Sequence, residues 1–284
     1  MKLTWTSPGG DSIEFSKDGN TYKLLKDYDG FSTADIAFMT TVAPFQDGVT
    51  RLDTRFNPRK ISFSVMVTAP SLTDIQQAVL TLVRVFNPMG GPGVVAFEYE
   101  DGTVFHLNCS GTISPSPMIR GTMHQLVRVS LVAHDPFWYT DSKADSLGAS
   151  TAATFPITFP ITLAGNLAIK TLINYGDIDA AATIVITGDV SNPKVTNVTT
   201  GEYFSFTLDM DANDVLTVTT GFGNKTITYF DYSASTTVNG FQYLDASSVF
   251  WLLKPGENVI SFTYLTADPA VTATVTRSDR YSGV

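Results

Sequence analysis

Apolar residues return at every second position through most of this 284-residue chain, and that period commits it to β-sheet. In Ile61-Ser62-Phe63-Ser64-Val65-Met66-Val67 the odd positions make one continuous apolar face, and the other face is largely polar. That is the pattern of a strand buried on one side. The same alternation runs through Gly93 to Glu100, Val104 to Cys109 and Gln125 to Ala133. Asp101-Gly102 separates the first two of these runs and predicts a hairpin turn, because glycine tolerates the positive φ that tight turns require. Ser114-Pro115-Ser116-Pro117 separates the next two.

One segment keeps a different period. Between Ser71 and Asn87, apolar side chains fall at Leu72, Ile75, Val79, Leu82, Val83 and Phe86, the stripe of an amphipathic helix. Thr73 and Gln76 have the spacing of a capping box, and Pro88 ends the helix because it disfavours α geometry at Asn87. The first half therefore predicts a β-sheet or barrel with a single helix packed on it.

From Thr140 to Asn166 the composition shifts to Ser, Ala, Thr and Gly, with a small echo in Phe155-Pro156-Ile157-Thr158-Phe159-Pro160-Ile161. Prolines cannot donate to a ladder, so no central strand is expected there. The chain divides on this reading into an N-terminal domain over 1–139, a linker or extended arm over 140–166 and a C-terminal domain over 167–284. In the last of these, strands are expected at Ile169 to Asn174, Ala182 to Gly188, Lys194 to Asn197, Tyr203 to Leu208 and Val215 to Thr219. Others follow at Lys225 to Phe230, Ser248 to Leu253, Asn258 to Leu265 and Ala270 to Thr276. Turns at Gly176-Asp177, Asp211-Ala212-Asn213-Asp214, Asn239-Gly240 and Pro255-Gly256 recur between them, which predicts a β-sandwich or jelly roll. The fold class is mainly β.

Charge excludes one class of partner. Eighteen Lys and Arg against 27 Asp and Glu leave a net −9, so the basic footprint of a nucleic-acid-binding protein is missing. Met1-Lys2 leads into Leu3-Thr4-Trp5-Thr6 without an apolar stretch, and no long apolar run follows, so neither export by a signal peptide nor membrane insertion is expected. The single Cys109 can form no internal disulfide and no multi-cysteine zinc site.

No catalytic or metal constellation emerges. His106, His124 and His134 lack a partner at catalytic spacing and read as structural or exposed, and a His134/Asp135 metal pair would need further ligands. Asp209-Met210-Asp211-Ala212-Asn213-Asp214 begins like a calcium loop, but Asp214 stands where glycine is required and Thr220 where the bidentate Glu belongs. A hairpin turn accounts for it. Gly90-Gly91-Pro92-Gly93 lacks the Lys and Ser/Thr of a phosphate loop. No catalytic residue, metal or cofactor is therefore expected. Tyr203, Phe222, Tyr229, Tyr243 and Trp251 are the candidates for a sugar-stacking platform, although Val249-Phe250-Trp251-Leu252-Leu253 also reads as a covered strand. Asp135-Pro136-Phe137-Trp138 leaves the strand ending at Ala133, and its two large aromatics predict a structural latch at the exit of the first domain.

An ordered set of segments resembles the distal tail proteins of long-tailed, non-contractile bacteriophages over nearly the whole length. In the first half it comprises Ala43-Pro44-Phe45-Gln46-Asp47-Gly48, Arg59-Lys60-Ile61-Ser62-Phe63, Phe86-Asn87-Pro88, Phe105-His106-Leu107-Asn108-Cys109-Ser110-Gly111 and Asp135 to Trp138. In the second half it comprises Ile173-Asn174-Tyr175-Gly176-Asp177, Ile184 to Gly188 and Leu253 to Phe262. The resemblance implies a ring-forming N-terminal β domain with one helix, followed by a galectin-like β-sandwich. It implies a structural, non-enzymatic virion protein at the distal end of the tail, made in the host cytoplasm and closing a homohexameric ring. Its implied neighbours are the major tail tube protein and a tip or tail-associated lysin protein, with the tape measure and receptor-binding proteins as further ones. The competing expectations are a carbohydrate-binding adhesion module and a β-sandwich glycosidase, the second requiring a carboxylate pair that the sequence does not nominate.

Overall fold

The computed structural model describes residues 2–19, 21–116, 123–148, 167–267 and 271–284. The chain folds as two compact units, Met1–Asp141 together with Tyr281–Val284, and Ser142–Arg280. The echo at 155–161 lies outside the described residues. Among the described residues no helix is long and apolar enough to cross a membrane.

The first unit is built on β1 (Lys2–Thr6), β2 (Ser12–Ser16), β3 (Tyr22–Leu24), β4 (Ile36–Thr41), β5 (Thr50–Phe56) and β6 (Arg59–Thr68). Helix α1 (Leu72–Val85) follows, then β7 (Gly93–Glu98), β8 (Val104–Pro115), β9 (His124–Ala133) and the short β10 (Trp138–Tyr139). Seven strands in the order β8-β7-β1-β2-β3-β6-β9 close on themselves through a β8–β9 pairing. Closure depends on the length of β8: Val104 to Cys109 pair with β7, and Ser110 to Pro115 pair with β9. Gly111 stands just past that switch, where an added Cβ would come within 2.6 Å of the Phe86 ring. The alternating faces read in the sequence point as expected, with Ile61, Phe63, Val65, Val67, Val127, Val129 and Leu131 all buried.

Helix α1 buries Ile75, Val79, Leu82 and Val85 against this barrel and leaves Leu72 and Val83 exposed. Its cap differs from the expected Thr73/Gln76 box. Ser71 is the N-cap, its Oγ accepting from the Asp74 backbone N–H at 3.1 Å, so the helix begins two residues earlier than that box required. Trp5 fastens the other end, stacking on Phe86 at 4.7 Å and donating its Nε1–H to the Val85 carbonyl.

The second unit contains β11 (Lys143–Gly148), β12 (Leu167–Asn174), β13 (Ala182–Thr187), β14 (Val190–Ser191), β15 (Lys194–Asn197), β16 (Glu202–Ser205) and β17 (Asp209–Met210). It continues with β18 (Val215–Gly221), β19 (Asn224–Asp231), β20 (Thr236–Asn239), β21 (Gly256–Thr263), β22 (Thr266–Ala267) and β23 (Thr272–Arg277), and β24 (Arg280–Tyr281) leads back to the barrel. A six-stranded sheet, β11-β23-β13-β18-β19-β20, and a four-stranded sheet, β12-β21-β15-β16, contribute to one core. Ile184, Leu216 and Val275 come from the first sheet, and Val195, Phe204 and Phe262 from the second.

Two sequence expectations need correction. Ser248 to Leu253 is not a strand: only Leu253 makes a bridge, to Ala180, while Trp251 is buried against Phe204. Its apolar residues are used for side-chain packing without a ladder, and periodicity cannot separate those two uses. Within the stretch read as linker, Lys143–Gly148 is an edge strand paired along its whole length with β23. Its few apolar residues hid it, because an edge strand exposed on one face needs little hydrophobicity.

The acid-rich turn is structural. Asp214 is buried, accepting from the Tyr229 hydroxyl at 2.5 Å, the Asp211 N–H at 2.8 Å and the Tyr232 N–H at 2.9 Å. Burial pushes its carboxyl pKa up, but the three donors together outweigh this and hold it below the usual carboxylate value. A depressed folded pKa means stability that is present above about pH 4 and lost as pH falls through the folded value. Asp214→Ala is expected to cost roughly 1–3 kcal/mol at pH 7 by stranding buried donors. Urea unfolding of parent and variant should converge as the pH drops below 4, and an undiminished gap at pH 2 would refute the assignment.

Candidate assembly site in the barrel unit

Among the described residues, strands β4 and β5 pair only with each other, forming a two-stranded ribbon outside the barrel sheet. The ribbon was not foreseen in the sequence, since Ile36 to Phe56 alternates poorly. It carries Ile36, Phe38, Met39, Val42, Phe45, Val49 and Leu52 exposed, with Phe38 60% and Leu52 67% accessible. A lone hairpin of this kind is marginal in water, and its unpaired edges invite another chain. Its tip is nevertheless well organised: Gln46 Oε1 accepts from the Ala43 N–H at 3.0 Å, and its Nε2 donates to Thr50 Oγ1 at 2.8 Å. At that tip Phe45 is fully exposed with φ +64°, a left-handed conformation unusual for a bulky residue. Neither its backbone nor its side chain is rewarded by packing within the chain.

Arg59 sits where β6 begins and is 1% accessible. Its Nε donates to the Pro136 carbonyl at 2.7 Å, Nη1 to the carbonyls of Gly30 (2.8 Å), Phe31 (3.3 Å) and Ser32, and Nη2 to Ser282 (2.5 Å). One guanidinium thus ties together the loop after β3, the exit of β9 and the returning segment 281–284. Burial pulls its pKa down to about 10, so it remains charged at neutral pH. Gly30 has φ +87°, and a Cβ there would lie 1.9 Å from the Lys60 carbonyl oxygen, so only glycine fits. The Val284 N–H adds a bond to the Phe31 carbonyl at 3.0 Å.

Asp135, Pro136, Phe137 and Trp138 all belong to the barrel unit. Trp138 is fully buried, stacked on Phe31 at 5.9 Å and lying 5.8 Å from the Arg59 guanidinium carbon. Its Nε1 has no partner among the described residues, contrary to the expectation that a buried indole N–H finds one. Phe137 packs edge-on against Phe56 at the foot of the ribbon, and Asp135 accepts from the Phe137 N–H. In the sequence Arg59 stands out only as the first residue of the family-like segment Arg59 to Phe63, with no role assigned to it, and Ser282 does not stand out at all.

The five candidate sugar-contact aromatics are not gathered on one face. Trp251 and Tyr229 are buried, Phe222 is fully exposed after β18, and only Tyr229 and Tyr243 among the five are in ring contact. Tyr203 bonds Ser247 through its hydroxyl and carries the Lys194 ammonium 3.9 Å from its ring centroid. His106 Nε2 meets Asp141 at 2.9 Å, while His124 and His134 are exposed at the two ends of β9. Cys109 is buried, which pushes its thiol pKa up to about 12 and leaves it a packing residue. Among the described residues no group of three or more potential metal ligands is found.

Residues 16–129 match the family described as phage tail protein RIFT-related domain, and residues 176–281 match the C-terminal domain of siphovirus-type tail components. No curated protein matches the chain. Among solved structures, the Dit protein of phage SPP1, described as a paradigm of the hub adsorption apparatus in phages infecting Gram-positive hosts, has the same fold. It shares 10% identity at TM-score 0.69, with 98% of each chain covered. A chain of the phage P2 baseplate in its calcium-activated conformation matches at 9% identity and TM-score 0.54, with 97% of each chain covered. The strontium form of the p2 baseplate gives 10% and 0.53 over 98% of each chain. With a tail-protein domain matched in each unit and one hub-protein fold running through both, the chain belongs to the siphophage distal tail proteins, structural components at the distal end of the virion tail.

Proposed function

We propose that the protein forms a homohexameric adaptor ring joining the tail tube to the tip or baseplate and, through it, to the host-recognition apparatus. The observation that carries this reading is the β4–β5 ribbon, which among the described residues joins no further strand and carries seven exposed apolar side chains on an otherwise closed barrel. Surface of that kind marks an interface, and one copy's ribbon meeting a different surface on the next gives head-to-tail contacts that close into a ring when the rotation closes. The major tail tube protein would stack on one side of such a ring. A tip or tail-associated lysin protein would stack on the other, with tape measure and receptor-binding proteins as further contacts. The protein works by assembly and not by catalysis. On this reading the second unit is a galectin-like sandwich that serves attachment, and the burial of Trp251 and Tyr229 disfavours the carbohydrate platform.

Mass measurement in solution combined with negative-stain imaging of the purified chain should give a six-fold ring with a central hole. A monomer that binds glycans would replace this reading with the adhesive one.

A further inference from the structure

A hollow of about 490 Å³ opens in the barrel unit between the loop after β3 and the turn from β7 to β8. Phe31 and Phe97 are buried, with ring centroids 5.5 Å apart, and form its floor. Tyr28 and Tyr99, 46% and 42% accessible, form its walls. Each wall meets the floor almost at a right angle, Tyr28 on Phe31 at 5.8 Å and 88°, Tyr99 on Phe97 at 4.8 Å and 87°. Glu100 and Asp101 stand at the mouth, and among the described residues neither is ion-paired. The Thr103 N–H, 2.9 Å from Asp101 Oδ1, holds that carboxyl below the usual carboxylate range, so it is charged at neutral pH. The lining is fixed without any ligand. Asp29, between the two rings of the β3 loop, exchanges backbone bonds with Ser62 at 2.9 and 3.1 Å, and the Tyr99–Thr103 and Gly102–Tyr99 backbone bonds close the turn that carries both carboxylates.

This chemistry selects a cation. Aromatic faces attract positive charge, most effectively when the cation has little hydration to lose. The two carboxylates add the same preference, and among the described residues no basic side chain lines this hollow. Lys17 and Lys26 line a neighbouring hollow together with Glu100, which leaves Asp101 as the carboxylate that serves the aromatic one alone. Shape narrows the choice further. Rings set at right angles wrap a rounded group, whereas a planar guanidinium matches parallel faces. We propose that the hollow binds a quaternary ammonium group, its methyls against the four rings and its charge toward Asp101 and Glu100. The volume lies within the roughly 300–1,000 Å³ of small-molecule pockets, so a headgroup fits together with part of the chain that bears it. Walls already fixed by backbone bonds lose little freedom when the ligand enters. The site is independent of ring closure.

The test titrates the full chain with choline chloride at constant ionic strength and reads binding by ligand-observed NMR. Choline should bind in the millimolar range or tighter. Its neutral carbon isostere, with a tert-butyl group in place of trimethylammonium, should bind about tenfold more weakly, and methylguanidinium should also bind more weakly. Tyr28→Leu keeps apolar bulk and removes a ring face, while Asp101→Asn keeps the acceptor for Thr103 and removes the charge. Each should weaken choline binding several-fold while the thermal transition stays within a few degrees of the parent. Sedimentation with phosphatidylcholine vesicles separates the two sources of this group: a headgroup displayed on a surface carries the chain into the pellet, and a free solute leaves it in the supernatant. No binding of choline at tens of millimolar overturns the site. Equal binding of the neutral isostere, tighter binding of methylguanidinium, or choline affinity unchanged in both variants overturns it as well.

Discussion

Replacing Arg59 by Met is expected to destabilise the barrel unit by about 3–5 kcal/mol, the range seen when one partner of a buried charged network is removed. The variant keeps the length and apolar volume of the side chain, so the loss isolates the donors. Carbonyls of Gly30, Phe31, Ser32, Pro136 and Ser282 all accept from this guanidinium, and leaving even two of them unpaired in the interior costs about 1–3 kcal/mol each. Arg59→Lys retains charge but not the planar fork, and should recover only part of the loss. Urea titration followed by tryptophan fluorescence reads the result, since Trp5 and Trp138 report the barrel and Trp251 the second unit. The barrel transition should move to lower urea while the other stays in place. Equal midpoints for Arg59→Met and parent would show that the network contributes nothing. Deleting 281–284 should reproduce much of the same loss, because the Ser282 carbonyl and the Val284 N–H leave with it. A barrel fragment ending near Tyr139 is for the same reason an incomplete unit, and any assembly measurement on the barrel alone must supply that segment.

Trp138→Ala is expected to cost a similar 3–5 kcal/mol, here through a cavity rather than through stranded polar groups. The ring is fully buried, stacks on Phe31 and faces the Arg59 guanidinium, so its removal opens the core beside the network that closes it. Trp138→Phe separates the two contributions of the indole. It preserves a stacking surface and removes an N–H that has no partner among the described residues, so its cost should fall well below that of the alanine variant. Poor folding or failed tail assembly is the visible consequence of Trp138→Ala. If that variant unfolds at the parent's midpoint, Trp138 does not lock the end of the barrel.

Period and composition by themselves determined a good deal. The alternation at Ile61 to Val67 and Gln125 to Ala133 placed two long neighbouring strands with the correct faces inward, because a half-buried strand has a local signature. The stripe from Leu72 to Phe86 placed the helix for the same reason. Only tertiary structure decided the rest. That the barrel closes depends on β8 serving two partners in succession, a property of pairing that no single strand's sequence carries. Ser12–Ser16 and Tyr22–Leu24 are too short, and Lys143–Gly148 too polar, to announce themselves as strands. The candidate site was the least legible part. Arg59 gathers residues 27 to 223 positions away in the chain, and such convergence leaves no local pattern. The exposed apolar residues of Ile36 to Phe56 look in a sequence like any buried ones, since hydrophobicity states a need for burial and only the folded chain shows where that need is left unmet.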